Sequence, residues 1–221
     1  MLLDSNSLTK TIDNINEHFF HNQSIPEDEG LEAARWIASR QGEKGAYRGM
    51  SAPTAHDFEK GIRVFTGEIL TSASARHIMG QEAARSAWLL AKDDPIVRSA
   101  YNQATKWMHE NQEFHLYGTF CCGKCTLAYW RHFKVGNFDQ REALISKGLS
   151  SMKKMRIGDG KWHRFPFFYA IYTLHELELE EARAELEYAR PVMERYLKRT
   201  PKDTYSRRKI AIIERALQQI N

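Results

Sequence analysis

Tyr117-Gly-Thr-Phe-Cys-Cys-Gly-Lys-Cys125 holds every cysteine of the 221-residue chain. Three thiols are too few for a disulfide scaffold, and their clustering points to a shared local role. Thiolates bind soft or borderline metals, and Cys122-x-x-Cys125 has the spacing of the local half of a tetrahedral zinc site. If the segment opens a helix, Cys121/Cys125 and Cys122/Cys125 are i,i+4 and i,i+3 pairs on one side. Gly118-Thr119 would cap that helix, and a helix N-terminus with Lys124 beside it favours the thiolate form. Cys121, Cys122 and Cys125 are therefore candidate metal ligands, with zinc the cofactor they would hold. His115, His132 and His163 are the candidates for a fourth ligand, whereas an iron–sulfur cluster normally takes four thiolates. Two other readings stay open: cysteines as small buried residues that let helices approach closely, and redox or nucleophilic thiol chemistry.

Aromatic residues concentrate around this motif. More than half of them fall between Phe114 and Tyr172, about a quarter of the chain. That density can line a cavity for apolar or cationic groups, or it can be core. In the cavity reading Arg131, His132, His163 and Arg164 are the few polar groups that orient a ligand. Arg76, His77 and Glu82 form another polar set in a small-residue context, and Glu82 and Arg85 have the spacing of an ordinary helix pair. No Ser-His-Asp order, phosphate-binding loop or dinucleotide fingerprint occurs, and no catalytic residue is assigned.

Helices must position these groups. The apolar spacing predicts a first helix over Leu8 to Phe20 and a second from Pro26 to about Gln41. Gly42 to Leu70 is the least helical part, with a short hairpin expected over Ile62 to Leu70. A long helix capped by Thr71 or Ser72 follows to Lys92, rich in small residues. Asp94-Pro95 restarts a helix to Asn111. The cysteine helix is expected over Thr119 to Lys134, another over Gln140 to Met155, and an aromatic one from Pro166 to Leu177. A Glu-rich helix to Lys198 is expected to bend or break at Pro191, and the last runs from Thr204 to Ile220. Nine helices joined by short turns make an all-α chain of paired antiparallel helices, read as one domain over 1–221.

Composition excludes several classes. No apolar run is long enough for a membrane span. The N-terminus lacks the pattern of a signal peptide, and the clustered thiols suit a reducing compartment, so a cytoplasmic protein is expected. The net charge of +4 gives no argument for nucleic acid. Charge is uneven, however. Arg195 to Lys209 carries seven Lys/Arg and one Asp, whereas Glu176 to Glu187 carries six Glu and one Arg. These faces either pair with each other or leave a basic surface for an anionic partner.

Gly45-Ala-Tyr-Arg, Gly118-Thr-Phe and Gly160-Lys-Trp-His-Arg each set a glycine before an aromatic at an inter-helix turn. Trp162-His-Arg-Phe-Pro-Phe-Phe-Tyr169, following Gly158-Asp-Gly160, resembles the turn leading into an inner helix in the α/α-toroid superfamily of prenyltransferases and squalene–hopene or terpene cyclases. Tyr117 to Arg131 resembles the start of the preceding inner helix. The resemblance covers residues 30–180 loosely, with 181–221 as added C-terminal helices. It implies a small or partial toroid of inner and outer helices around an apolar, aromatic-lined cavity. The chain carries no Asp-x-Asp-Asp, so the cyclase protonation motif is not part of that implication.

Two functions from different classes follow. In the first, the cavity binds or acts on an apolar, isoprenoid-like small molecule. Tyr117, Arg131, Trp162, His163, Arg164 and Tyr169 then contact it, and the cysteines stand at its edge. In the second, the chain is a non-enzymatic helical scaffold or interaction module whose basic C-terminal surface, including Arg207, Arg208 and Lys209, meets a partner.

Overall fold

The computed structural model describes residues 1–71, 73–110, 117–136 and 139–221. The expectations for Ser72, Asn111, Phe114 and His115 lie outside the described residues. Among the described residues the chain is all-α: ten helices and one two-stranded ribbon. It divides into two compact units, one of residues 1–65, 69–112 and 135–137, the other of residues 66–68, 113–134 and 138–221.

The first unit contains α1 (Leu8–Phe20), α2 (Glu27–Ser39), α3 (Ala55–Lys60), β1 (Ile62–Arg63), β2 (Ile69–Leu70), α4 (Ala73–Ala91) and α5 (Pro95–Glu110). Ser7 caps α1 by accepting the Lys10 N–H, and three acidic residues occupy the first turn of α2, where the helix dipole favours them. The unexpected helix is α3. It is held by a capping box in which the Thr54 hydroxyl and the Asp57 carboxylate satisfy each other's backbone N–H. Asp57 also accepts from Ser7 Oγ at 2.5 Å and Leu8 N at 3.0 Å, which ties α3 to the start of α1. Helix α4 packs against α1, α2 and α5. It is buried continuously from Ile78 to Ala87, including Gln81, Glu82, Arg85 and Ser86. Small residues among them let neighbouring segments come close, as at Gly80, where a Cβ would fall 2.6 Å from Met50 Cβ. The hairpin forms as expected, with Ile62 opposite Leu70.

The second unit contains α6 (Gly123–Val135, all but its last residue), α7 (Arg141–Lys153), α8 (Phe167–Leu177), α9 (Glu180–Leu197) and α10 (Thr204–Ile220). Helices α8, α9 and α10 pack on one another, and α7 packs on α9. Pro191 does not break α9, which runs through it. Pro191 is exposed, so water can reach the Glu187 carbonyl that the proline ring leaves without a donor. Asp203 caps α10 in a second capping box with Ser206.

Two ion pairs, each with one buried partner, brace this unit. Arg131 on α6, 1% exposed, reaches Glu176 on α8 at 2.8 Å and lies 4.1 Å above the Tyr172 ring. Arg156 meets Glu185 on α9 at 2.9 Å and lies 4.2 Å above the Tyr188 ring, while the Trp162 indole donates to the same carboxylate at 2.7 Å. The second cluster seats the turn from 155 to 163, closed by the Arg156–Trp162 bridge and by His163 N–H donating to Met155 O at 2.8 Å.

One very tight contact joins the turn before α6 to α7. A Cβ on Gly148 would fall 2.1 Å from Gly118 O and 2.6 Å from Trp130 Nε1. Gly148→Ala should therefore destabilise the protein by about 2–4 kcal/mol, read as a fall in melting temperature of about 5–10 °C. Ser150→Ala, on the exposed side of the same helix, should change it by less than about 0.5 kcal/mol.

Candidate functional site

The cysteine helix begins later than the sequence suggests. α6 starts at Gly123, so Cys121 and Cys122 precede it and only Cys125 lies within it. The cause is local hydrogen bonding. Thr126 Oγ1 accepts from Phe120 N–H at 2.9 Å and donates to Cys122 O at 2.8 Å, which also accepts from Thr126 N–H. A threonine that binds the preceding backbone in this way holds it out of the helix.

Cys122 then takes the capping position. Its sulfur accepts the Cys125 N–H at 3.4 Å, as a serine or aspartate oxygen would. The turn around it is also fixed by bonds that involve no sulfur. The Trp130 indole donates to Gly118 O at 2.7 Å, and Ser151 Oγ donates to Tyr117 O at 3.1 Å. Gly118 itself has φ +64°, which favours glycine. On the other flank a Cβ on Gly123 would fall 2.2 Å from Arg164 O. Arg164 has φ +69°, a left-handed conformation that costs a side-chain-bearing residue about 1–2 kcal/mol. The anchored 155–163 turn and the glycine at the helix start together hold it there.

Cys121 is exposed, Cys122 half-buried and Cys125 buried, and the sulfurs of Cys121 and Cys125 lie within 4.8 Å. Hydrogen bonds from Cys121 and Cys125, then the N–H groups of Cys125 and Lys124, hold the Cys122 thiol far below the usual thiol range. Hydrogen bonding to Cys122 pushes the Cys121 thiol up to about 11. Bonds to Cys121 and Cys122, and then burial, push Cys125 well above its ordinary value. The result is one thiolate at a helix N-terminus, approached by two protonated thiols.

The other expected site residues are dispersed. Tyr117 is exposed at the head of the turn. His163 and Arg164 are exposed where their backbone crosses the start of α6. Arg131 is buried in its pair with Glu176, Trp162 in its bond to Glu185, and Tyr169 is 1% exposed. His132 is buried on α6 seven residues beyond Cys125, about 10 Å along the axis and beyond coordination reach of the thiols. The donors gathered by the turn itself are thus all sulfur. Of the basic C-terminal residues, Arg207 is exposed, Arg208 is 9% exposed over Tyr205, and Lys209 lies 4.7 Å above the Phe168 ring. Sequence reasoning missed Thr126, Trp130 and Ser151 as the groups that fix the turn. A threonine four residues after Cys122 was the available signal.

A separate concavity of about 530 Å³ lies in the first unit. Phe58, Ile62, Leu70, Ala73, Ala75 and Arg76 line it. Phe58 is 44% exposed, and the Arg76 guanidinium stands 5.6 Å from its ring. No helix among the described residues is long and apolar enough to cross a membrane.

Because Cys122 is held as a thiolate, its alkylation by iodoacetamide should slow by less than about tenfold between pH 8 and pH 5, where an ordinary thiol slows about a thousandfold. Peptide mapping of the modified protein checks both the rate and the site.

No family model, curated protein or solved structure matches the chain, so the chemistry of the site rests on its own geometry.

Proposed function

We propose that the protein carries out thiol–disulfide exchange through Cys122 and Cys125. The observation that carries this reading is the Cys122 sulfur capping α6 with the Cys125 N–H bonded to it at 3.4 Å. The attacking sulfur is half-exposed and the second is buried behind it. That is the order exchange requires: the first thiol meets the partner, and the second is shielded until a mixed disulfide has formed.

The Cys122 thiolate attacks one sulfur of a partner disulfide and releases the other as a thiolate. Cys125 gives its proton to a departing thiolate and attacks Cys122 Sγ, which frees the second partner sulfur. The dithiol loses two electrons and the partner disulfide gains them. Residues three apart at a helix start have Cα atoms about 5–6 Å apart, within the span of a disulfide. Gly123 and Lys124 are the two intervening residues, and the close seating of Gly123 keeps the turn in place through the cycle.

Equilibration of the reduced protein in glutathione buffers, followed by acid quenching and mass spectrometry, should show a Cys122–Cys125 disulfide. Its midpoint should lie between about −270 and −120 mV, the range of exchange-active dithiols. Cys122→Ser should abolish it, and Cys125→Ser should trap a mixed disulfide with glutathione on Cys122. Absence of both products across the whole range of buffers would sink the reading.

A second reading concerns the concavity beside the hairpin. Its apolar walls and the Arg76 guanidinium suit an apolar chain with an anionic head. This is not the aromatic-lined cavity expected around Tyr117, Arg131, Trp162, His163, Arg164 and Tyr169, none of which lines it, but a separate candidate place for an isoprenoid-like ligand. Farnesyl monophosphate should bind, and Arg76→Ala should weaken it about tenfold while leaving farnesol unchanged. Equal loss for both probes, measured by calorimetry, would remove Arg76 as the head-group contact.

A further inference from the structure

Exchange needs two sulfurs, and the turn holds three. Cys121 is exposed, hydrogen-bonds Cys122, and has its sulfur within 4.8 Å of that of Cys125. Nothing in the exchange cycle employs it. Its position is also not left to chance, because the backbone on both sides is fixed. Phe120 N–H is taken by Thr126, Cys122 O by the same residue, and Gly118 O by Trp130.

We propose that Cys121, Cys122 and Cys125 form a three-sulfur site for a thiophilic d10 cation, zinc or monovalent copper. Three features support it. The donors are all thiols, the ligand type that selects soft and borderline ions over magnesium or calcium. They converge from one turn, so a single local segment supplies the whole set and little chain entropy is lost on binding. The bonds of Thr126, Trp130 and Ser151 hold the turn independently of the sulfurs, so metallation displaces only the Cys122 Sγ cap and the thiol–thiol bonds. Binding displaces the thiol protons, and the cation's positive charge takes over the stabilising role of the sulfur hydrogen bonds.

The two ions share this donor set and differ in what completes it. Copper(I) is satisfied by three thiolates, whereas zinc takes a fourth ligand, which beside the exposed Cys121 solvent water could supply. Such an open position is what separates reactive zinc sites from purely structural ones. The site uses two of the sulfurs of the exchange reading but does not depend on it, since the cation needs the turn reduced and exchange needs it to cycle.

The test uses the full chain, reduced and handled anaerobically after purification without a metal-affinity column. Zinc is titrated against a chromophoric zinc chelator, and copper(I) against a copper(I)-specific one. One equivalent of either ion should bind. Cys121→Ser should weaken it at least tenfold while leaving formation of the Cys122–Cys125 disulfide intact. Because Cys121 is exposed, the variant should fold, which circular dichroism checks. Zinc binding alone would identify the open-position site, and copper binding alone the trigonal one. Unchanged affinity in Cys121→Ser, or no binding of either ion, would overturn the proposal. Disulfide formation in the same samples reports separately on the exchange reading.

Discussion

Backbone meets backbone on both sides of the turn that opens α6, and side chains would prevent it. Gly148 on α7 lies against Gly118, and Gly123 lies against the Arg164 peptide. Each contact leaves no volume for a Cβ, and the one at Gly118 buries a polar backbone group. Such groups cost several kcal/mol when unpaired. The Trp130 indole covers the Gly118 carbonyl, so the close approach brings its own compensation. Remove the glycines and α6 cannot start at Gly123. Cys122 then has no helix to cap, and the three sulfurs lose their common direction.

The buried charges serve the same end at longer range. The Arg156–Glu185 pair, with Trp162 sharing the carboxylate, fixes the turn that ends at His163 and Arg164. A buried ion pair contributes little net stability, because desolvation offsets most of the Coulomb attraction. Its value is geometric: a bidentate guanidinium tolerates little displacement. The strained φ of Arg164 persists for that reason, with one end of its turn anchored on α9 and the other wedged at Gly123. Arg131 and Glu176 act similarly between α6 and α8, with Tyr172 beneath the guanidinium.

Much of the helical framework was legible in the sequence, and the reason is chemical. α1 and α10 begin at residues able to cap, Ser7 and Asp203, and carry one apolar stripe each. Local signals decide such elements. The short α3 was equally local, written as Thr54-x-x-Asp57, but hidden in a glycine-rich stretch. The start of α6 was not legible, because the choice between Thr119 and Gly123 is made by the Thr126 hydroxyl and by glycines on other segments. A bend or break was expected at Pro191, yet the helix continues through it, and its exposed setting removes most of the penalty. The cysteines were legible as a cluster, but their division into one thiolate and two thiols depends on which sulfur meets the helix N–H groups. The aromatic-lined site suggested by Tyr117, Arg131, Trp162 and Tyr169 had no such discriminator. Residue type alone does not say whether an arginine faces a ligand or, as Arg131 does, a glutamate.

The proposed exchange and the proposed cation site would compete for the same sulfurs, with the oxidation state of the turn deciding between them. A Cys122–Cys125 disulfide removes two of three ligands at once, and a bound cation withdraws the nucleophile from any partner disulfide. Each state therefore excludes the other, and linkage makes the exclusion quantitative. A cation that binds only the reduced turn raises its reduction potential by about 30 mV for each tenfold excess of free cation over its dissociation constant. Cys121 sets how strong that coupling is. With it, the cation has three ligands and holds the dithiol reduced; without it, two sulfurs remain and the dithiol is left to cycle. A third thiol beside a two-thiol motif is in this sense a physical reason for one turn to respond to both metal and disulfide.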